Sequence, residues 1–262
     1  MFKHAILCNH RYGQKKFGVE NAPKLLANYI NPKTKIHNIN EINLKKSLTS
    51  IYRTNEKLIG SRVNIGGDHS ISIATGAYTL NKNENTKFIW IDAHPDINTY
   101  KSSTTKNVHG MPLGYLTGLN NIPKVSFIQN RLPFSNLLYI GIRDIDEYEY
   151  KIIRKKQINH ITSTLCNNNV KSAIEKINTF VNNSPVHLSF DVDSIDPKYV
   201  ASTGTPVCNG LKVDIAKKLV QHIVHNKEIL NIDICELNPS IGSNEDAKES
   251  LHNVLHVWEG IL

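Results

Sequence analysis

Two carboxylates and one imidazole occupy alternate positions in one short segment, Asp92-Ala93-His94-Pro95-Asp96. Carboxylate and imidazole groups bind divalent cations, so the segment has the chemistry of a metal half-site. It follows the apolar run 88–91, which is typical of a buried parallel strand. Because residues two apart on a strand face the same way, we expect Asp92, His94 and Asp96 to converge.

Two other segments complete the candidate site. A second run, 186–190, ends in Asp191-Val192-Asp193, where the same spacing predicts another convergent pair of carboxylates. The segment Gly66-Gly67-Asp68-His69-Ser70 closes a third apolar stretch, and its glycines allow a tight backbone from which His69 can reach the same strand ends. The candidate metal ligands are therefore His69, Asp92, His94, Asp96, Asp191 and Asp193.

The charge of these residues indicates how many cations they would hold. Four aspartates bring four negative charges, which two divalent cations would neutralise. Oxygen-rich ligands with two imidazoles favour a pair of Mn²⁺ ions over a structural Zn²⁺ ion. Paired ions lower the pKa of a shared water, so the predicted chemistry is metal-assisted hydrolysis. Alone, Asp92 to Asp96 is equally typical of a capped loop with a salt bridge, but unpaired buried carboxylates would repel one another.

Several motifs, taken together, resemble those of the ureohydrolase family of arginases and agmatinases. They are Gly66-Gly67-Asp68-His69-Ser70, Asp92-Ala93-His94-Pro95-Asp96-Ile97-Asn98, His109-Gly110-Met111-Pro112, Ser189-Phe190-Asp191-Val192-Asp193-Ser194-Ile195-Asp196-Pro197 and Glu236-Leu237-Asn238-Pro239. The resemblance runs in order from about residue 18 to residue 242. It implies an α/β fold of three layers, α-β-α, with a central parallel sheet, the arginase/deacetylase-like fold. We expect residues 1–262 to form a single ureohydrolase domain.

The resemblance also implies how the ligands divide between two Mn²⁺ ions. Asp92 and Asp191 would bridge the ions. The remaining ligands would be His69 and Asp96 on one ion, and His94 and Asp193 on the other.

The implied reaction is the hydrolysis of L-arginine to L-ornithine and urea. A metal-bridging hydroxide would attack the guanidinium carbon while Glu236 holds the guanidinium by a charge-assisted contact. Asp96 would pass a proton to the leaving nitrogen, and His109 would exchange protons with solvent.

Substrate contacts are expected mainly from the polar loop 97–108. By resemblance the amino-acid end of arginine would bind there and beside it, which favours arginine over agmatine. The residues at matching positions are Asn98, Ser103, Thr105 and Asn107, with Asp146 for the α-ammonium group and Thr205 beside the metals. The alternatives are an ordinary polar surface loop, and for Asp146 an ion pair with Arg143 or a nearby lysine.

The sequence is also compatible with other functions. Another ureohydrolase would act on agmatine, guanidinobutyrate or formiminoglutamate, and a catalytically silent relative would bind metal and a ligand without turnover. Family precedent implies a homo-oligomer, either a trimer or a hexamer.

The composition indicates which cell compartment and which kinds of partner to expect. The four cysteines show no close pairs, which favours a reducing, cytoplasmic compartment. No apolar run approaches membrane-spanning length. The apolar core within the first eight residues is too short for a signal peptide. The net charge is +8, but the lysines are scattered, so we expect no nucleic-acid partner and no membrane partner.

Periodicity also predicts secondary structure. We expect strands at 4–8, 62–65, 137–142 and 230–235, and helices from Pro23 and over 44–59, 70–80, 172–182, 211–226 and 248–262. Ser70 is expected to help cap its helix. The loop around His10 resembles the family's glycine-rich segment only loosely, so we interpret His10 as a loop residue and not a ligand.

Overall fold

A computed structural model describes residues 2–120 and 126–262. Within these residues the strands form one eight-stranded sheet in which all neighbouring strands are parallel. The strands are β1 (His4–Cys8), β2 (Lys35–Ile39), β3 (Arg62–Gly66), β4 (Lys87–Ile91), β5 (Leu137–Ile140), β6 (Asn159–Ile161), β7 (Val186–Asp191) and β8 (Ile229–Cys235). Their order across the sheet is β2-β1-β3-β8-β7-β4-β5-β6.

Helices cover both faces of this sheet. They are α1 (Ala22–Ala27), α2 (Leu44–Lys57), α3 (Ser72–Lys82), α4 (Pro112–Leu116), α5 (Glu147–Lys156), α6 (Ser163–Asn168), α7 (Val170–Val181), α8 (Val213–Asn226) and α9 (Asn244–Val257). On β4, Ile89 and Ile91 belong to an apolar cluster shared with α7, α8 and α9. The alternate residues Phe88 and Trp90 belong to a second cluster with α3, α4 and α5. The predicted three-layer α/β fold is therefore confirmed.

The parallel register brings several loops to one edge of the sheet. Ile91 pairs with Phe190, Asp191 pairs with Cys235, and Ile65 pairs with Ile234. The loops that follow β3, β4, β7 and β8 consequently leave the sheet side by side. Those four loops carry the residues that the sequence identified as candidates for metal and guanidinium binding.

Most predicted elements are confirmed within a few residues. Strands β1, β3 and β8 and helices α2, α7 and α8 match their predicted ranges, and Pro23 lies in the first turn of α1. The strand predicted over 137–142 ends at Ile140, because Gly141 takes a φ of 92° and turns the chain away from the sheet.

Two helix predictions need correction. Ser70 does not cap α3: a 3₁₀ turn, His69–Ile71, precedes that helix, and the Asp68 side chain caps this turn by accepting from the Ser70 backbone N–H. The last helix spans Asn244–Val257, not 248–262. It starts earlier because Ser243 and Asp246 form a capping box.

The structure also tests the predictions about cysteines and membranes. Cys8, Cys166, Cys208 and Cys235 are all free thiols, as expected. Across 2–120 and 126–262, no helix combines the length and apolar character needed to cross a membrane.

Candidate metal centre and active site

The six candidate ligands meet at the carboxyl edge of the sheet. His69 Nδ1 lies 3.3 Å from Asp92 Oδ2, 3.1 Å from Asp96 Oδ2 and 3.2 Å from Asp191 Oδ2. His94 Nδ1 lies 3.1 Å from Asp193 Oδ2 and 3.6 Å from Asp92 Oδ1. Two ligand groups result, His69-Asp92-Asp96 and Asp92-His94-Asp193, and Asp92 belongs to both.

A buried, unpaired nitrogen shows that these groups fit a cation. Among the described residues, His69 Nδ1 has no hydrogen-bond partner although it is buried and faces three carboxylates. Buried polar atoms in native proteins nearly always have a partner. A divalent cation between this nitrogen and the carboxylate oxygens would satisfy all of them, and the mixed nitrogen and oxygen donors suit such an ion.

The electrostatics of the aspartates lead to the same conclusion. Burial, together with the charges of Asp193 and Asp92, raises the pKa of Asp191 well above its usual value. Burial and the charge of Asp92 raise the pKa of Asp96 to about 6. Although burial acts against its charged form, the neighbouring imidazoles of His69 and His94 hold the pKa of Asp92 below its usual value. The carboxylates compete for the positive charge available, and added cations would relieve that competition.

The predicted convergence is confirmed, but the predicted reason for it is wrong. β4 ends at Ile91, so Asp92 to Asp96 lie in the following loop and not on a strand. There Asp92 Oδ1 accepts from the His94 backbone N–H at 2.7 Å, and Asp96 adopts a positive φ of 49°. Asp191 likewise accepts from the Asp193 N–H at 2.8 Å and starts a 3₁₀ turn. Short-range aspartate turns therefore aim these side chains.

A buried chain of hydroxyl groups fixes the orientation of His69. His69 Nε2 lies 2.7 Å from Ser189 Oγ, which lies 3.5 Å from Ser72 Oγ. Ser72 donates to Asp233 Oδ2 at 2.7 Å. Because Ser72 uses its only proton to donate to Asp233, it can accept from Ser189, and Ser189 in turn can accept from a protonated Nε2. That tautomer leaves the Nδ1 lone pair free for a cation.

Glu236 follows β8 and lies beside the ligands. It is buried, and its backbone adopts a φ of 71°. Its Oε1 accepts from the His69 backbone N–H at 2.8 Å and lies 3.0 Å from His109 Nδ1. Its Oε2 accepts from Gln14 Nε2 at 2.7 Å. Burial opposes protonation of His109, but Glu236 outweighs it and raises the pKa of His109 to about 9.

The predicted substrate residues line a cleft of about 260 Å³ over the ligands. They are Asn98, Ser103, Thr105, Asn107, Asp146 and Thr205. Asn98 Nδ2 donates to Asp146 Oδ2 at 2.6 Å, and Thr205 Oγ1 donates to Asp193 Oδ2 at 3.2 Å. Arg143 instead donates to backbone carbonyl oxygens, including those of Asp193 and Val207, so the alternative pairing with Asp146 does not occur.

Some residues of the site were not predicted. Glu149 lines the cleft, and burial and Asp146 raise its pKa to about 8. Its signal was available, since Asp146 and Glu149 have capping-box spacing and form that box at the start of α5. Asp144 lies 3.5 Å from His94 Nε2, and Gln14 reaches the site from the N-terminal loop. His10 lies in that loop as predicted, buried and hydrogen-bonded to Ser47.

Clustered aspartates and histidines at the carboxyl edge of a parallel sheet, beneath a polar cleft, define a metal-dependent hydrolase. The model of the arginase family matches residues 11–257, and the chain belongs to this family of metalloenzymes. The arginase of Entamoeba histolytica is 35% identical over 281 residues, and the alignment covers 94% of each chain.

Solved structures agree with this assignment. The crystal structure of Entamoeba histolytica arginase in complex with L-ornithine superimposes with a TM-score of 0.88 at 30% identity, covering 98% of this chain and 97% of that one. The arginase of Bacillus subtilis superimposes with a TM-score of 0.84 at 26% identity, covering 99% of each chain.

The hydroxyl chain behind His69 generates a prediction. In Asp233→Asn, the new amide can donate to Ser72, so the hydroxyl protons can reverse and the Nδ1–H tautomer of His69 becomes accessible. We expect Mn²⁺ affinity to fall by about 10–100-fold, the usual effect of losing such a supporting group. Calorimetric titration of the metal-free protein with Mn²⁺ measures this.

Two further variants serve as comparisons for the Mn²⁺ affinity of Asp233→Asn. Ser72→Ala breaks the same chain without changing the buried Asp233 charge and should weaken Mn²⁺ binding in the same direction. Asp246→Asn removes a partly exposed carboxylate at the start of α9 and should leave Mn²⁺ affinity unchanged. Wild-type affinity in both Asp233→Asn and Ser72→Ala would contradict the tautomer argument.

Proposed function

We propose that this protein hydrolyses L-arginine to L-ornithine and urea at a site that holds two Mn²⁺ ions. One observation carries the proposal: the cluster of four buried aspartates with His69 and the half-buried His94 lies directly beside Glu236, beneath a polar cleft. Its close similarity to arginases supports the choice of substrate.

The ligand assignment is part of this proposal. His69 and Asp96 would hold one ion, His94 and Asp193 the other, and Asp92 and Asp191 would bridge them. This division is supported by the short distances from His69 Nδ1 to Asp92 and Asp96 and from His94 Nδ1 to Asp92 and Asp193. Asp191 lies 3.2 Å from His69 Nδ1, and its contact with the second ion is taken from the family resemblance. When bound, the two ions supply the nucleophile by lowering the pKa of a shared water until it ionises near neutral pH.

Glu236 would hold the guanidinium of the substrate. A guanidinium is a cation and a poor electrophile, so its carbon has to be presented at close range to a strong nucleophile. The Glu236 carboxylate is buried next to the ligand His69, and its contact with a guanidinium would be a charge-assisted hydrogen bond.

Asp96 and His109 would transfer protons during the reaction. Asp96 lies against the ligand cluster, where it can take the proton released by the nucleophile and give it to the leaving nitrogen. His109 contacts Glu236 at the edge of the cleft and is partly exposed, so it can exchange protons with solvent.

The cleft above the ligands would bind the amino-acid end of arginine. Hydroxyl and amide donors of Asn98, Ser103, Thr105 and Asn107 suit the α-carboxylate, and Asp146 suits the α-ammonium group. Thr205 lies at the ligand side of the cleft through its hydrogen bond to Asp193.

We further propose that residues 1–262 act as one domain in a cytoplasmic homo-oligomer, a trimer or a hexamer. The four free cysteines support a reducing compartment, and family precedent supports the assembly.

The first prediction concerns activity. After chelation and dialysis, the protein should release urea from L-arginine only when Mn²⁺ is restored, with little or no urea from agmatine. A coupled urea assay on both substrates measures this. Urea from agmatine alone would agree with the proposed metal-dependent hydrolysis but contradict arginine as the substrate. Bound Mn²⁺ without turnover of either compound would favour a binding role.

The second prediction concerns the polar loop. Asn98→Ala should raise the KM for arginine by about 10-fold or more, since a hydrogen bond to a charged group contributes roughly 1.5–3 kcal/mol. Lys101→Ala changes an exposed residue of the same loop and should leave the KM unchanged. Unchanged arginine turnover in Asn98→Ala would count against arginine as the substrate.

The third prediction concerns the bridging ligands. Asp191→Ala should lose both ions, because a bridging carboxylate contributes to both, whereas Asp193→Ala should keep one. Metal analysis of each variant after dialysis in Mn²⁺ gives the number of ions per chain. Two tightly bound ions in Asp191→Ala would refute the bridge.

A further inference from the structure

The amide of Gln14 is directed at Glu236 from a distant part of the chain. Gln14 Nε2 donates to Glu236 Oε2 at 2.7 Å, although the residues are 222 positions apart. The Gln14 side chain is buried, with 7% of the residue exposed, and it does not line the cleft. Gln14 therefore contacts Glu236 without lining the cleft itself.

The residue before Gln14 fixes this loop against the site. The Gly13 backbone N–H donates to the buried Asp68 Oδ2 at 2.7 Å, and its carbonyl accepts from the His109 N–H at 3.2 Å. A Cβ on Gly13 would lie 2.7 Å from Asp68 Oδ1, so the close approach requires glycine. Asp68 also accepts from the Ser70 backbone N–H at 3.0 Å. The loop is thus anchored immediately beside the residue that contacts Glu236.

Gln14 and the backbone of His69 together constrain the Glu236 carboxylate. Oε2 accepts from Gln14, while Oε1 accepts from the His69 N–H. Rotation about the last side-chain bond would break both hydrogen bonds, so the plane of the carboxylate is fixed.

The chemistry of an amide suits this position. An amide N–H supports a buried carboxylate without cancelling its charge, whereas a lysine there would neutralise Glu236 and compete with a cationic ligand. The nearby Lys16 instead donates to the carbonyl of Gly204.

We propose that Gln14 is a positioning residue that orients the Glu236 carboxylate for guanidinium and so sets the affinity of the site for that group. This inference depends on the proposed function, in which Glu236 binds the guanidinium. Gln14 makes no contact with substrate in this account, and its effect passes entirely through Glu236.

The first test uses Gln14→Met, which keeps the length of the side chain and removes the donor. Calorimetric titration of the Mn²⁺-loaded protein with guanidinium chloride and with L-arginine should show affinities weaker by about 10-fold or more. The KM for arginine should rise more than kcat falls, while Mn²⁺ content stays at the wild-type value. Lys15→Met, an exposed neighbour in the same loop, is the matched control and should behave as wild type.

The second test uses Gln14→Glu, whose side chain has the same shape. When ionised it repels Glu236, and when protonated it donates an O–H in place of the amide. Relative to wild type at each pH, its affinity for guanidinium should therefore be weakest at alkaline pH and recover as the pH falls. A merely structural role for Gln14 predicts no such dependence.

The outcomes separate this inference from the proposed function. If wild type binds guanidinium and hydrolyses arginine, but Gln14→Met and Gln14→Glu bind guanidinium equally well at all pH values, the role of Gln14 is refuted and the function stands. If wild type itself neither binds guanidinium nor releases urea, the proposed function fails. Should Gln14→Met not fold, the pH dependence of Gln14→Glu decides.

Discussion

Mutual repulsion among buried carboxylates is the constraint on which the rest of this structure depends. Asp92, Asp96, Asp191 and Asp193 are all buried at one edge of the sheet, with only two imidazoles among them. Such a cluster is costly in a protein interior unless positive charge is supplied. A parallel sheet makes the cluster possible, because the carboxyl ends of its strands bring loops from distant parts of the sequence together. Divalent cations would turn that cost into a site with Lewis acidity, as expected of a metalloenzyme of the arginase family.

Hydrogen bonds around the cluster determine which atoms face the cations. Aspartate turns aim Asp92 and Asp191, and Trp90 Nε1 donates to Asp92 Oδ2 at 2.9 Å. The hydroxyl chain that ends at Asp233 can support the tautomer of His69 in which Nε2 is protonated. The groups that contact these ligands directly are neutral, and the charged Asp233 contacts Ser72 instead of His69. They therefore orient the ligands without supplying the positive charge that a metal ion would bring. The same arrangement recurs at Glu236, where the neutral amide of Gln14 donates to the carboxylate.

Much of this architecture could be predicted from the sequence, since buried strands and their polar ends leave a local signal. β4 contains the apolar run 88–91, β7 is buried along its whole length, and each candidate ligand lies within a few residues of a strand end. Strands β2 and β6 lacked that signal because they are short and largely exposed edge strands. The contacts of Gln14 and Asp233 could not be predicted, because they join residues far apart in sequence through the register of the sheet. The aspartate turns show that a correct prediction of convergence can rest on an incorrect local geometry.

The proposed function requires that one cluster of carboxylates holds two cations. The most direct measurement is anomalous X-ray scattering from crystals of the protein grown with Mn²⁺, with data collected on both sides of the manganese absorption edge. The account predicts two anomalous peaks roughly 3.5–4 Å apart. Both peaks should lie between the imidazoles of His69 and His94, with Asp92 and Asp191 in contact with each. A single peak, or manganese bound elsewhere while the cluster holds none, would contradict it.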